Sequence, residues 1–132
     1  MLDADVLIGA LDGSDVHHAR ARALFSRWQE QHVPRLISVV NLSEVLIAPA
    51  ADRRRLRAAR EAIAALGVTV HRPVEAIGVA AARLRGHHQI SLPDAYCLAT
   101  AQHAGGSLVT FDRKLIRAAR SEDIAHAAAS TT

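Results

Sequence analysis

The stretch Leu2-Asp3-Ala4-Asp5-Val6-Leu7-Ile8 decides how this chain is read. It sets two acids inside an apolar run. Read as a buried strand running into a helix, it places Asp3 at or near the strand's end. A buried carboxylate is costly unless it is paired, neutralised or bound to a metal. The local alternative is structural: Asp5 caps the following helix and Asp3 is a satisfied turn residue. What separates the two readings is whether other acids of the chain converge on the same place.

Working outward, residues 6–11 read as a short helix that ends in the turn Asp12-Gly13-Ser14. Ala21, Leu24, Phe25 and Trp28 share one face of a helix over residues 17–31, which Pro34 ends. A β-type run follows at 35–39, then a helical stretch from Asn41 that stops near Pro49. Asp52 caps a helix over 53–66, closed by Gly67, before a strand at 68–70. Helices over 73–86 and 91–103 precede a strand at 107–110. A helix over 112–120 and a short strand at 124–126 complete the pattern, with 127–132 as a loose tail. Strands separated by helices, with no hairpin signal, predict an α/β fold. It would be a single domain over 1–126 with a parallel-stranded central sheet and helices on both faces.

Composition sets the bounds. With 132 residues, half of them hydrophobic and 22% charged, the chain can bury a proper core. Aromatics are only 3%, so that core must be Ala, Leu, Val and Ile. No apolar run reaches the roughly 20 residues that span a membrane. The acid at position 3 and the lack of a basic leader argue against a signal peptide. A lone Cys97 rules out an internal disulfide and fits a reducing, cytoplasmic setting. The formal charge is +3, and Lys114 is the single lysine among 16 basic residues. Arginine's forked donors suit phosphate, so nucleic acid is a candidate partner.

In an open parallel sheet, ligands bind beyond the carboxyl ends of the strands. Asp3 ends the first expected strand, Glu44 sits about a turn into the helix after the second, and Asp112 follows the strand at 107–110. Asp94 lies in the first turn of its helix. If that helix starts at the same edge, four carboxylates share one pocket. Such charges need large pKa shifts or cations to stay close. Oxygen-only donors favour a hard cation, Mg²⁺ or Mn²⁺. Each acid also has a structural reading: Ser91-x-x-Asp94 is a capping box, Asp112 a natural N-cap, and Glu44 a solvated helix residue.

Four segments together resemble the PIN-domain ribonucleases, and most closely the VapC-type toxins of bacterial toxin–antitoxin pairs. They are Leu2–Ile8, Ser43-Glu44-Val45-Leu46, Leu92-Pro93-Asp94-Ala95 through Ala99-Thr100-Ala101, and Val109-Thr110-Phe111-Asp112. The resemblance covers nearly the whole chain, in the family's order. It implies an Mg²⁺- or Mn²⁺-dependent endoribonuclease that cuts single-stranded or looped RNA, leaving a 5′-phosphate and a 3′-hydroxyl. It implies a catalytic set of Asp3, Glu44, Asp94 and Asp112. Asp3, Asp94 and Asp112 would hold the metal, and Asp5 and Thr110 would stand behind them. It also implies a cognate VapB-type antitoxin and a homodimer. An antitoxin arginine would pair with the acids and an apolar helix would lie near residues 17–31 and 41–48. Two departures stand out. The family usually has Thr or Ser after the first Asp, then Ser or Asn, where this chain has Ala4 and Asp5. The first strand has only Met1 and Leu2 ahead of Asp3.

Other readings are weaker. Asp3-x-Asp5 also resembles the nucleophile motif of haloacid dehalogenase-like phosphatases. That family needs a downstream lysine, and Lys114 follows Asp112 too closely. The adjacent pairs His17-His18 and His87-His88 diverge on a helix or strand, and no His pair has the i, i+4 spacing of a helical zinc site. Cys97 reads as a small buried thiol. Arg53-Arg54-Arg55-x-Arg57 reads either as a solvated helix face or as a surface for RNA phosphate or an acidic partner. A non-catalytic basic interaction domain is the rival of a different class. Against it, the chain offers few aromatics for base stacking.

Overall fold

A computed structural model describes residues 1–128. The elements are α1 (Ala4–Leu11), α2 (His18–Glu30), β1 (Arg35–Ser38), α3 (Val39–Leu46), α4 (Arg53–Ala65) and β2 (Val68–His71). They continue with α5 (Glu75–His88), α6 (Leu92–Ala104), β3 (Leu108–Thr110), α7 (Arg113–Ser121) and β4 (His126–Ala128). A 3-10 turn at Pro49–Ala51 joins α3 to α4.

Two parallel pairs, β1 with β2 and β3 with β4, are joined by the first three residues. The Leu2 amide donates to the Leu36 carbonyl at 2.7 Å. On the other side, the Val109 amide donates to the Met1 carbonyl at 2.9 Å and the Asp3 amide to the Val109 carbonyl at 3.0 Å. Leu2 and Val109 form a parallel bridge. The order across the sheet is therefore β2, β1, residues 1–3, β3, β4, with the shortest extended segment at its centre.

Side chains alternate across the strands, as the period of two requires. Met1 and Leu108 are buried in a core with α5, α6 and α7, and Leu36 packs against it. Leu2 and Ile37 are buried in a second core with α1, α2, α3 and α4, and Val109 packs against that one. Helices thus cover both faces of the sheet. With so few aromatics, close packing falls to small residues. Ala81, Ala95, Ala99 and Ala101 are buried in the first core. At the α1–α2 contact, a Cβ on Gly9 would lie 3.2 Å from that of Ala21, so glycine lets the two helices approach.

Several element ends differ from the sequence expectation. The helix α1 starts at Ala4, not Val6, and Asp3 rather than Asp5 caps it. The reason is that Asp3 still has extended backbone and a short side chain that accepts from the Ala4 amide. The helix α3 begins at Val39, directly after β1, because Ser38 caps it. Gly86 lies inside α5, which runs on to His88 and ends with Gln89 in the left-handed region. The last strand is His126–Ala128, not 124–126, because it takes its register from β3. It includes the first two residues of the expected tail, and residues 129–132 lie outside the described residues. Among the described residues no helix is long and apolar enough to cross a membrane.

Leu2 is 2% exposed at the seam between the two strand pairs. Leu2→Ala is expected to cost about 2–5 kcal/mol in chemical denaturation, as buried truncations do. Val16→Ala, at a site 88% exposed, should stay within about 0.5 kcal/mol of the parent. Equal effects at the two sites would contradict the central place of Leu2.

Candidate active site

Asp3 leaves the central segment just where α1 begins. Its Oδ1 accepts from the Ala4 amide at 2.8 Å and its Oδ2 from the Thr110 hydroxyl at 2.7 Å. In the first turn of α1, Asp5 Oδ2 accepts from the Phe111 amide at 3.0 Å and lies 3.3 Å from Thr110 Oγ1. A hydroxyl has one proton, and the shorter contact to Asp3 takes it. The same Thr110 oxygen accepts from the Asp112 amide at 3.0 Å. Thr110 therefore joins three acids, and does so because it ends β3, the neighbour of the central segment.

Asp112 and Asp94 come from helix starts. Asp112 caps α7, accepting from the Lys114 amide at 2.9 Å. Asp94 sits in the first turn of α6, its own amide donating to Ser91 Oγ at 3.2 Å. Helix N-termini favour anionic side chains. Capping and convergence coexist here: Asp3 and Asp112 cap helices, Ser91 caps the helix that carries Asp94, and all three acids face one edge.

Burial pushes the Asp3 carboxyl up to about 7, and the charges of Asp5 and Asp94 add to it. The hydrogen bonds from Thr110 and Ala4 work against that rise. Burial also raises Asp5, to about 6, with Asp112 contributing and the Phe111 and Thr110 bonds opposing. Asp94 is raised by burial first and by Asp112 as well, while Ser91 and Lys114 lower it. These influences link Asp3, Asp5, Asp94 and Asp112 into one electrostatic group.

Glu44 comes from α3 and is tied through Asn41 to the first turn of α6. Its Oε1 accepts from Asn41 Nδ2 at 3.1 Å, and the same nitrogen donates to the Pro93 carbonyl at 3.0 Å. Glu44 also lines a groove of about 550 Å³ between α1, α3 and α4, with Ile8, Leu11, Val45 and Arg55. The arginines of α4 are exposed and point to different places. Arg53 and Arg57 wall a shallow groove with Arg60 and Glu61, and Arg54 lies beside them. Arg55 shares the groove with Glu44.

The donor set suits a hard divalent cation. It is all oxygen, it carries excess negative charge, and the Asp5 Oδ1 atom is buried without a hydrogen-bond partner. Among the described residues, no group of three His, Cys, Asp or Glu side chains is placed to hold a metal ion.

Two features escaped the sequence reading. Asn41 is fully buried, and its i, i+3 spacing to Glu44 on a helix was the available signal. The other is a stack: the His17 ring lies on Phe111 at 4.2 Å and 16°. The Arg20 guanidinium is 5.2 Å from the Phe111 ring centroid and bonds His17 Nδ1 at 2.7 Å. This stack braces the turn whose backbone holds Asp5. Nothing in the local sequence pairs positions 17 and 111.

A carboxyl raised in the folded state gives stability that is full below its unfolded pKa and is lost as pH rises through the folded one. In metal-free buffer, the contribution of Asp3 and Asp5 should therefore fall between pH 4 and 7. A tenfold change in proton affinity is about 1.4 kcal/mol, worth about 3 to 5 °C in a domain of this size. Thermal unfolding of the parent and Asp3→Asn across this range checks it. The variant should gain on the parent as pH rises, and a constant gap would contradict the assignment.

No curated protein sequence matches the chain significantly. Among solved structures, it is similar to one described as FitAcB from Neisseria gonorrhoeae, with 19% identity and a TM-score of 0.72 over 99% of this chain and 98% of that one. It is also similar to a chain of a toxin–antitoxin complex from Klebsiella pneumoniae, with 24% identity and a TM-score of 0.68 over 84% of each. At these identities the likeness speaks for the fold. The PIN domain family matches residues 1–121, nearly the whole chain. With its parallel sheet and its acids gathered at one edge, this chain belongs to the PIN domain family.

Proposed function

We propose that this chain is a metal-dependent endoribonuclease and the toxin of a toxin–antitoxin pair, acting in the cytoplasm. The observation that carries the reading is the electrostatic group of Asp3, Asp5, Asp94 and Asp112, gathered from three distant parts of the chain. Family membership supports nuclease chemistry over the phosphatase reading of Asp3-x-Asp5. A domain that only bound RNA would have no use for mutually repelling acids, with Asp3 buried among them.

In this reading Asp3, Asp94 and Asp112 hold Mg²⁺ or Mn²⁺. When bound, the ion supplies a lowered pKa for its water and neutralises charge on the phosphate oxygens. Thr110 fixes the Asp3 carboxylate through its single proton, and Asp5 is held behind it by the Phe111 amide. Glu44 orients the attacking water. Arg55 is best placed of the α4 arginines to hold RNA backbone near Glu44, with Arg53, Arg54 and Arg57 extending that surface.

Control by an antitoxin fits the same surface, and one of the similar solved structures is described as a toxin–antitoxin complex. The groove lined by Ile8, Leu11, Val45 and Ala48 is apolar with Glu44 and Asp12 on its walls. It suits an amphipathic helix bearing an arginine. A second copy of the chain completes the proposed assembly as a homodimer.

Asp94→Asn preserves size and removes one charge from the group. Cleavage of single-stranded RNA should fall by about 100-fold or more, the scale of losing an essential electrostatic contact. EDTA should stop the parent, Mg²⁺ or Mn²⁺ should restore it, and zinc should serve poorly. Parent-like cleavage by Asp94→Asn, or full activity in EDTA, would sink this reading.

A further inference from the structure

Asn41 is 0% exposed inside a short helix, where asparagine is a poor helix former. Its amide nitrogen donates to two acceptors, Glu44 Oε1 at 3.1 Å and the Pro93 carbonyl at 3.0 Å. A carboxylate and a carbonyl can only accept, so they fix which end of the amide faces them. Its Oδ1 is left buried with no partner. An apolar side chain would fill the same place without an orphaned acceptor. What the amide adds is the link itself.

That link spans elements far apart in sequence. One end restrains a carboxylate on α3. The other grips the first turn of α6 at the residue before Asp94. We infer that Asn41 is a positioning residue that clamps the Glu44 carboxylate to the Asp94-bearing turn of α6. The inference rests on the proposed role of Glu44. Asn41 touches no reacting atom. It acts by setting where Glu44 points and how far α3 stands from α6.

The test is a double-mutant cycle on single-turnover cleavage of a mixed-sequence single-stranded RNA in Mn²⁺. Asn41→Ala should slow cleavage at saturating RNA about 10- to 100-fold, as loss of a supporting hydrogen bond does, with KM unchanged. Asn41→Asp keeps the size but lacks the two donors, and should be as slow. Adding Asn41→Ala to Glu44→Ala should slow cleavage no further, because residues acting as one unit are not additive. Losses that multiply would overturn the clamp and leave Glu44's role standing. A Glu44→Ala variant as fast as the parent would overturn both.

Nitrogen-15 NMR gives a readout independent of cleavage. The Asn41 side-chain NH₂ should exchange slowly with water, and Glu44→Ala should shift it. Free exchange, or resonances unmoved by Glu44→Ala, would overturn the clamp. A shifted amide in a protein that cuts no RNA would sink the nuclease reading while the clamp stands.

Discussion

Everything at the sheet's edge depends on where one hydroxyl proton goes between two neighbouring acids. Thr110 donates it to Asp3 at 2.7 Å, leaving Asp5 with a backbone amide and one orphaned oxygen. Two neighbouring carboxylates repel each other, and among the described residues neither pairs with a cationic side chain. The fold tolerates this because the surrounding backbone is rigid. The central segment is hydrogen-bonded on both sides, so Asp3 has no freedom to turn outward. Phe111, whose amide serves Asp5, is itself pinned by His17 and Arg20.

The helices contribute in a second way. Asp3 and Asp112 each satisfy an amide at a helix start, and Asp94 lies within the first turn of α6. The positive ends of α1, α6 and α7 offset part of the repulsion. Asp3, Asp5 and Asp94 are all still raised, first by burial and then by neighbouring carboxylates. In the proposed reading, a cation relieves this shortage of positive charge. Stability is given up at this edge and recovered in two alanine- and leucine-rich cores on either face of the sheet.

Much of this was legible in the sequence. Strands alternating with helices gave the parallel sheet, and acids following strands gave the edge where Asp3 and Asp112 lie. Helix-start chemistry at Ser91 and Asp112 fixed α6 and α7 closely. What could not be read were relations between distant residues. A segment of three residues has no periodicity to show which strands flank it. That place comes from its hydrogen bonds to Leu36 and Val109. Asp5 looked like a cap, yet its partner is a backbone amide over a hundred residues away. Glu44 was grouped with the other acids by its position after a strand. The turn of α3 sets it beside Asn41, whose amide also reaches the Pro93 carbonyl, and on the wall of the groove toward α4. The arginine run looked like one surface, but helical rotation sends Arg55 to a different groove from Arg53 and Arg57.

The central claim is that the converging acids are a cation site and not merely helix caps. It is tested most directly by thermal unfolding of the parent and Asp94→Asn, each with and without saturating Mn²⁺. Without metal, the variant should be at least as stable as the parent, because one repelling charge is gone. With Mn²⁺ at about a hundred times its Kd, the parent should gain about 2.7 kcal/mol and overtake the variant. A parent that gains nothing from Mn²⁺, or a variant that gains as much, would contradict the claim.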